Sequence, residues 1–421
     1  MLNPSLPFKP LLLKAVHAHK KGLIKYDKKG TAFVKLPGGK IAQVPPQNQY
    51  DLTRATIFGL NERLTMSSNS PVLNKNGKTL REAFNQEWEK YTQALADFKN
   101  GYLNYGVYAY YEENNDLVRF CEPFWHHVVS VASSSMLLSH KNKKMPWQET
   151  RQVLSSTNIA VAGCSVGNSI IHGTVMDLRP KNIKIADKSL YKMENINRVR
   201  LGYWEIVEPN SKSASAQDLL LKNKANVTAS QLYAIDPYIN VFIYNEGINE
   251  NNISRFLKGG GNEPAADFLV EEVDDPRVKV LLRTYAKKYR IPLLMVTDLG
   301  SSIQLDILRF DQNSKLPLTF KNTDAKLIKS METVYEDPGN RKTFFNFVDQ
   351  LIGRDYRQDE LKEIIEQKTE IPTSTIIPQL GSTIMAAGGI MAEAIARIRL
   401  GYNYPPRLIF NKHTFKLKIY R

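Results

Sequence analysis

The feature that most constrains this chain is the stretch from Asn158 to Arg200, NIAVAGCSVGNSIIHGTVMDLRPKNIKIADKSLYKMENINRVR. An apolar run, Ile159–Ala162, enters a glycine-bearing turn, Gly163-Cys164-Ser165-Val166-Gly167-Asn168. A helix-compatible segment follows, and a second apolar run ends in Asp187. A strand, a tight turn, a helix and a strand with a terminal acid make half of a nucleotide-binding βαβ arrangement. Asn195 and Arg198 come next and bear on which nucleotide chemistry this is.

The turn departs from a full dinucleotide fingerprint. Ser165 and Asn168 stand where the second and third glycines are expected, and Gly167 sits one place early. Ser165 is small enough to let the backbone approach a phosphate, and its hydroxyl can donate to one. The N–H groups at the start of the following helix favour an anion. An ordinary strand–turn–helix corner reads the same way. Asp187 can accept both ribose hydroxyls of a nucleotide. A surface acid closing a strand has the same pattern.

From about residue 157 strands and helices alternate. Expected strands are 158–162, 182–186, 241–244, 268–271 and 292–296, with helices at 213–222, 252–257 and 278–289. That alternation predicts a mostly parallel sheet with helices on both faces, and ligands at the carboxyl ends of the strands. Residues 378–400 predict a helix whose Ala386, Ala387, Gly388 and Gly389 allow close backbone approach. Residues 407–410 and 415–420 read as strands, and 318–375 as a capping insertion.

Residues 1–150 read as a separate α+β domain. Short strands are expected at 22–26 and 31–36, and a hairpin at 107–111 and 117–120. A helix is expected over 79–99, where Thr79 and Glu82 have capping-box spacing and Phe84, Trp88, Tyr91, Leu95 and Phe98 form one apolar stripe.

Composition narrows the chemistry. Two cysteines, Cys121 and Cys164, exclude four-cysteine zinc sites and argue against a disulfide framework. Such a composition fits a reducing cytoplasm. Neither a signal peptide nor a membrane span is expected, because the apolar 376–400 segment contains Pro378 and Glu393 and ends in Arg397 and Arg399. The net charge of +15 suits acidic partners such as nucleotides or nucleic acid, and equally a solvated lysine-rich surface. His126 and His127 are adjacent and share no metal-ligand spacing with the other histidines.

Taken together, Asp187, Asn195 and Arg198 resemble the signature of the ThiF/MoeB family, which includes the ubiquitin-activating enzymes. The segment Ala234–Ile239 resembles the family's approach to its third strand. Phe268–Asp275 resembles the strand whose terminal acid binds magnesium, and the small-residue helix resembles the one that closes the family's core. The resemblance implies that Asp187 holds the ribose of ATP, and that Asn195, Arg198 and Lys212 hold phosphates. It implies that Asp274 holds Mg²⁺, with Lys279 in a position that is often basic. Family members often bring an arginine from an amino-terminal segment, frequently the partner subunit's; Lys141, Lys143 and Lys144 are the nearest candidates here. No cysteine follows the third strand, so a thioester step is not expected.

The expected fold class is thus α/β: a Rossmann-like, mostly parallel sheet with helices on both faces, plus the α+β amino-terminal domain. The expected activity, over residues 151–421, is ATP- and Mg²⁺-dependent adenylation of a carboxylate, with catalysis by Arg198, Lys212 and Asp274. Gly163, Ser165, Gly167, Asp187 and Asn195 would bind the nucleotide. The substrate would be a peptide or carrier-protein carboxyl end, or a small-molecule or tRNA-borne carboxylate. The amino-terminal domain would clamp it, and the protein would be a homodimer. Two alternatives stay open: a Rossmann-type NAD or flavin oxidoreductase, and a nucleic-acid-binding protein with a vestigial nucleotide site.

Overall fold

The computed structural model describes residues 9–29, 32–35, 41–44, 107–112, 116–120, 147–207, 216–320, 322–353 and 379–420. The helix expected over 79–99, Cys121, His126, His127, the lysines of 141–144 and Lys212 lie outside these residues. The chain divides into two compact units. The first is Met1–Ser155 with Asp177–Arg179 and Ser230–Ile239; the second is Ser156–Met176, Pro180–Ala229 and Asn240–Arg421.

In the first unit the described elements are β1 (Leu11–Lys14), α1 (Ala15–Lys20), β2 (Ile24–Tyr26), β3 (Ala32–Lys35), β4 (Ile41–Val44), β5 (Val107–Tyr111), β6 (Asp116–Phe120) and α2 (Trp147–Ser155). They form two three-stranded antiparallel sheets, ordered β1-β5-β6 and β2-β3-β4. Ala15, Ala18, Ile24, Val34, Tyr108, Tyr110 and Leu117 form the core of this unit. The expected 107–120 hairpin is present as β5 and β6, in antiparallel register from Val107↔Phe120 to Tyr111↔Asp116.

The elements from β7 onward are β7 (Asn158–Ala162), α3 (Val166–Leu178), β8 (Asn182–Ala186), α4 (Ala216–Leu221), α5 (Lys224–Ile235) and β9 (Asn240–Tyr244), of which the end of α3 and the second half of α5 fall in the first unit and the rest in the second. The second unit continues with α6 (Ile253–Lys258), β10 (Phe268–Glu271), α7 (Pro276–Tyr289), β11 (Leu293–Leu299) and β12 (Ser302–Leu308). The last elements are α8 (Asp324–Glu336), α9 (Arg341–Ile352), α10 (Gly381–Arg399), β13 (Arg407–Asn411) and β14 (Lys416–Tyr420).

One eight-stranded sheet runs in the order β14-β13-β12-β11-β10-β7-β8-β9. The strands β9, β8, β7, β10 and β11 pair in parallel, and β12, β13 and β14 add an antiparallel edge. Runs such as Ile159–Ala162 and Phe268–Glu271 are buried on both faces, as parallel strands covered by helices require. Ala160, Ala162, Leu269 and Leu293 share one core cluster with Phe256 of α6, Leu282 of α7, Leu327 of α8 and Phe347 of α9. Val161, one residue out of step and so on the other face, meets α3, where a Cβ at Gly167 would lie 3.3 Å from its Cγ1. The sheet is therefore covered on both sides.

The small-residue helix behaves as its composition predicts. A Cβ on Gly388 of α10 would meet the Ser169 carbonyl oxygen of α3 at 2.6 Å, so the two backbones approach closely there. Of the expected 318–375 insertion, 321 and 354–375 lie outside the described residues, and α8 and α9 pack into the core through Leu327, Phe347, Leu351 and Ile352. The strand β12 is not legible in the alternation, because Gln304 and Asp306 break its apolar run. Both are buried, and the guanidinium of Arg407 on β13 pairs with Asp306. Among the described residues no helix is long and apolar enough to cross a membrane.

Candidate active site

The carboxyl ends of four neighbouring parallel strands, β8, β7, β10 and β11, carry the polar groups of interest. Asp187 follows β8, the Gly163 turn follows β7, Asp274 follows β10 and Asp298 lies near the end of β11. In an open parallel sheet this is the rim where ligands bind.

The turn needs its glycine. Gly163 has φ of +98°, and a Cβ there would come within 2.3 Å of the Glu272 carbonyl oxygen. Only a residue without a side chain lets β7 turn this close to the β10 loop. Helix α3 starts at Val166, where the Asn168 N–H donates to the Ser165 carbonyl at 3.3 Å, and the positive end of the helix lies at the rim. Cys164 is fully buried, and its thiol is pushed well above the ordinary value by burial and then by Asp187. It packs as a small hydrophobe.

Asp187 is tied to that turn. Its Oδ2 accepts the Cys164 N–H at 2.8 Å and its Oδ1 accepts the Ser189 N–H at 2.8 Å. Each carboxylate oxygen retains a further lone pair for a ligand hydroxyl. Beneath the turn, Tyr191 is buried; its hydroxyl donates to the Cys164 carbonyl at 2.6 Å and lies 3.3 Å from Thr228 Oγ1.

Arg198 bridges the loop after β8 to the turn. Its Nε donates to Ser165 Oγ at 3.1 Å, and its Nη1 donates to the Glu194 carbonyl at 2.9 Å and to Asn197 Oδ1 at 3.0 Å. Nη2 makes no hydrogen bond among the described residues. Asn195 is buried, and its Oδ1 accepts the Lys192 N–H at 2.9 Å, so it shapes the loop that carries Arg198. Lys212 lies outside the described residues.

Sequence reasoning overlooked Lys224. Its backbone N–H donates to the Ser189 carbonyl at 2.9 Å, two residues past Asp187. Its Nζ stands 5.7 Å from the centre of the Tyr191 ring, and its charge works to lower the Cys164 thiol's pKa. It opens α5 just beyond the site. The signal available was a lysine at the start of the helix that leads into Ala234–Ile239.

The structure separates the two adjacent acids after β10. Asp275 caps α7, accepting the N–H groups of Arg277 at 3.0 Å and Val278 at 3.3 Å, and the Tyr335 hydroxyl at 2.6 Å. Burial opposes its charge, but Tyr335 and those amides outweigh burial and hold its carboxyl below the usual value. Asp274 is exposed and makes no hydrogen bond among the described residues. Lys279 turns inward, donating to the buried Glu271 at 2.6 Å, and Arg283 holds the same carboxylate at 2.9 Å.

Asp298 was also overlooked, hidden in the run LLMVTDL. It is 7% exposed. Its Oδ1 accepts from Gln379 Nε2 at 3.3 Å, and its Oδ2 has no hydrogen-bond partner among the described residues. Burial pushes its carboxyl up to about 7, against the pull of its backbone hydrogen bond, Arg198 and Gln379, while Asp274 adds to the rise.

The Gly163 turn, the start of α3, the cations Arg198 and Lys224 and the acids Asp187, Asp274 and Asp298 thus belong to the elements and loops at one rim of the sheet. Among the described residues, no group of three or more His, Cys, Asp and Glu could hold a metal on its own. A divalent ion shared with phosphate oxygens fits the donors present: an exposed Asp274 and the bare oxygen of Asp298.

The ThiF family model matches residues 143–420, more than half of the sequence. The chain belongs to the ThiF family. Among curated proteins it resembles the uncharacterized protein MT1398 of Mycobacterium tuberculosis (strain CDC 1551 / Oshkosh), 25% identical over 266 residues. That match covers 62% of this chain but 32% of the relative, so the chain spans about a third of the relative's length. Among solved structures, PaaA is similar at 12% identity and a TM-score of 0.46, covering 84% of this chain and 99% of PaaA. E. coli MccB with ATP is similar at 13% identity and a TM-score of 0.41, covering 69% of this chain and 70% of MccB. Microcin C7 biosynthetic enzyme MccB in complex with N-formylated MccA gives 12% and 0.41, over 69% and 72%.

Proposed function

We propose that the chain is an adenylyltransferase that joins a carboxylate to the α-phosphate of ATP. The observation that carries this reading is the alignment of Asp187, the Gly163 turn, Arg198 and Asp274 on one sheet rim. Family membership supports it.

In this reading Asp187 accepts the ribose hydroxyls. The turn, the first amides of α3, the open edge of Arg198 and the ammonium of Lys224 take the phosphates, with Lys212 as a further candidate from the sequence. A substrate carboxylate oxygen forms a bond to the α-phosphorus as the bond to the bridging oxygen breaks, giving an acyl-adenylate and pyrophosphate. The carboxylate is already ionised near neutral pH, so no general base is needed. Fixed cations meet the charge that grows on the departing pyrophosphate. A Mg²⁺ ion held by Asp274 would neutralise phosphate charge and steady the leaving group.

The substrate class in this reading is a peptide or small carrier-protein carboxyl end, with the amino-terminal unit as its clamp and a homodimer as the working form. No thioester on cysteine is invoked. Calorimetry with ATP and Mg²⁺ on wild type and Asp187→Ala, beside exchange of labelled pyrophosphate into ATP, tests it. Wild type should bind ATP and catalyse exchange once the substrate is supplied, and Asp187→Ala should do neither. A wild type that binds NAD and not ATP would return the site to the oxidoreductase alternative.

A further inference from the structure

We infer that Asp298 supplies a second carboxylate to the divalent-cation position of Asp274, with Oδ2 as the liganding atom. This rests on the adenylyltransferase reading and assigns that site a residue with no counterpart in the motifs read from the sequence.

Strands β10 and β11 run parallel, with Leu269 opposite Leu293 and Val270 opposite Leu294. Counting on equally from that last pair brings Val270 to Asp274 and Leu294 to Asp298. Asp274, three residues past the end of β10, and Asp298, next to last in β11, therefore lie the same number of residues beyond a paired position, at the end of the sheet that holds the Gly163 turn.

Burial supplies an independent observation. Asp298 is 7% exposed, yet among the described residues Oδ2 meets no donor, while Oδ1 accepts from Gln379 at 3.3 Å. A buried carboxylate oxygen without a partner is costly, and such a group persists where a ligand completes it. Arg198 is near enough to act on the charge of Asp298 but makes no hydrogen bond to Oδ2. Its guanidinium is anchored instead to Ser165, Glu194 and Asn197.

Those positions define what fits between them. A phosphate on the open edge of Arg198 places negative charge beside two carboxylates. A hard divalent cation shared by phosphate and carboxylate oxygens resolves that repulsion and restores alternating charge. Magnesium sites are commonly built in this way, from one or two carboxylates with the phosphates of the nucleotide. An amide or ammonium donor from the substrate would satisfy Oδ2 alone and leave Asp274 and the phosphates facing each other.

Manganese serves as the spectroscopic probe, on the full chain. Its binding is followed by electron paramagnetic resonance, with and without ATP, for wild type, Asp298→Asn and Asp274→Asn. Nucleotide affinity without metal is measured in parallel. Each asparagine variant should weaken Mn²⁺ in the ATP complex about tenfold or more, while metal-free ATP affinity stays at the wild-type level. Asp298→Ser gives the same readout should the asparagine variant not fold. Wild-type Mn²⁺ affinity in Asp298→Asn overturns the inference and leaves the adenylation reading standing. An equal loss of ATP affinity without metal also overturns it, making Asp298 a group that positions Arg198. Failure of wild type to bind ATP overturns both.

Discussion

The Cys164 amide donates to Asp187 Oδ2 at 2.8 Å, so the acid that closes β8 also locks the turn that closes β7. Two backbone amides, of Cys164 and Ser189, thus hold the carboxylate in one orientation. Asp187→Asn exchanges an acceptor oxygen for a donor facing the N–H of Cys164 or Ser189. ATP affinity should fall at least about tenfold, or about 1.4 kcal/mol, and the melting temperature should drop with it. Calorimetry and a thermal scan check both; unchanged affinity would remove Asp187 from the nucleotide.

Lys224, at the start of α5 beside Tyr191, is expected to carry phosphate charge. Lys224→Met should slow pyrophosphate exchange about a hundredfold with little change in unfolding midpoint. Lys212→Met, assayed alongside, decides between the two lysines. Retained exchange in Lys224→Met with lost exchange in Lys212→Met would move the cation to the 208–215 segment.

Gly163→Ala places a methyl group where the Glu272 carbonyl already lies, at a backbone angle that side chains avoid. Strain of about 1–3 kcal/mol or more is expected. Urea unfolding should show it, and ATP binding should weaken together with stability. A variant as stable as wild type would mean the turn is not constrained by the β10 loop.

His172 gives the fold a pH dependence. Its Nδ1 lies 2.8 Å from the Asn168 carbonyl oxygen. Burial lowers its pKa from 6.5, against the pull of that carbonyl and with help from Arg200. The fold thus favours the neutral ring, and the unfolded chain takes up the proton first as pH falls. This contribution is complete above 6.5 and is lost as pH drops from there through the folded value. His172→Gln should make the urea midpoint less sensitive between about pH 7.5 and pH 5.5. Equal sensitivity in wild type and variant would rule this out.

Arg283 and Lys279 share the buried carboxylate of Glu271. Arg283→Met leaves that charge half-neutralised and should cost about 3–5 kcal/mol, read by denaturant unfolding. A loss below about 1 kcal/mol would show that Lys279 suffices.

The rim of the sheet was legible in the sequence because backbone geometry dictates it. An apolar run, a glycine that must take positive φ and a strand-ending acid leave a local record, and Gly163 and Asp187 were found that way. Asp274 was separable from its neighbour through the resemblance alone; the structure adds that Asp275 is consumed as a helix cap. Lys224 and Asp298 left no such record. One depends on where α5 begins, the other on which apolar strand end faces Arg198, and both are set by tertiary packing. Strand β12 was hidden for a related reason: Asp306 is compensated by Arg407, a hundred positions away, so its charge disguised a buried strand.

Gly381 opens α10 against the carbonyl of Asn197, the residue before Arg198, where a Cβ would come within 2.4 Å. From that contact the helix runs for 19 residues, about 28 Å, as one rigid rod. Its first turn therefore backs the loop that holds the guanidinium, and any side chain at position 381 would have to push that loop aside.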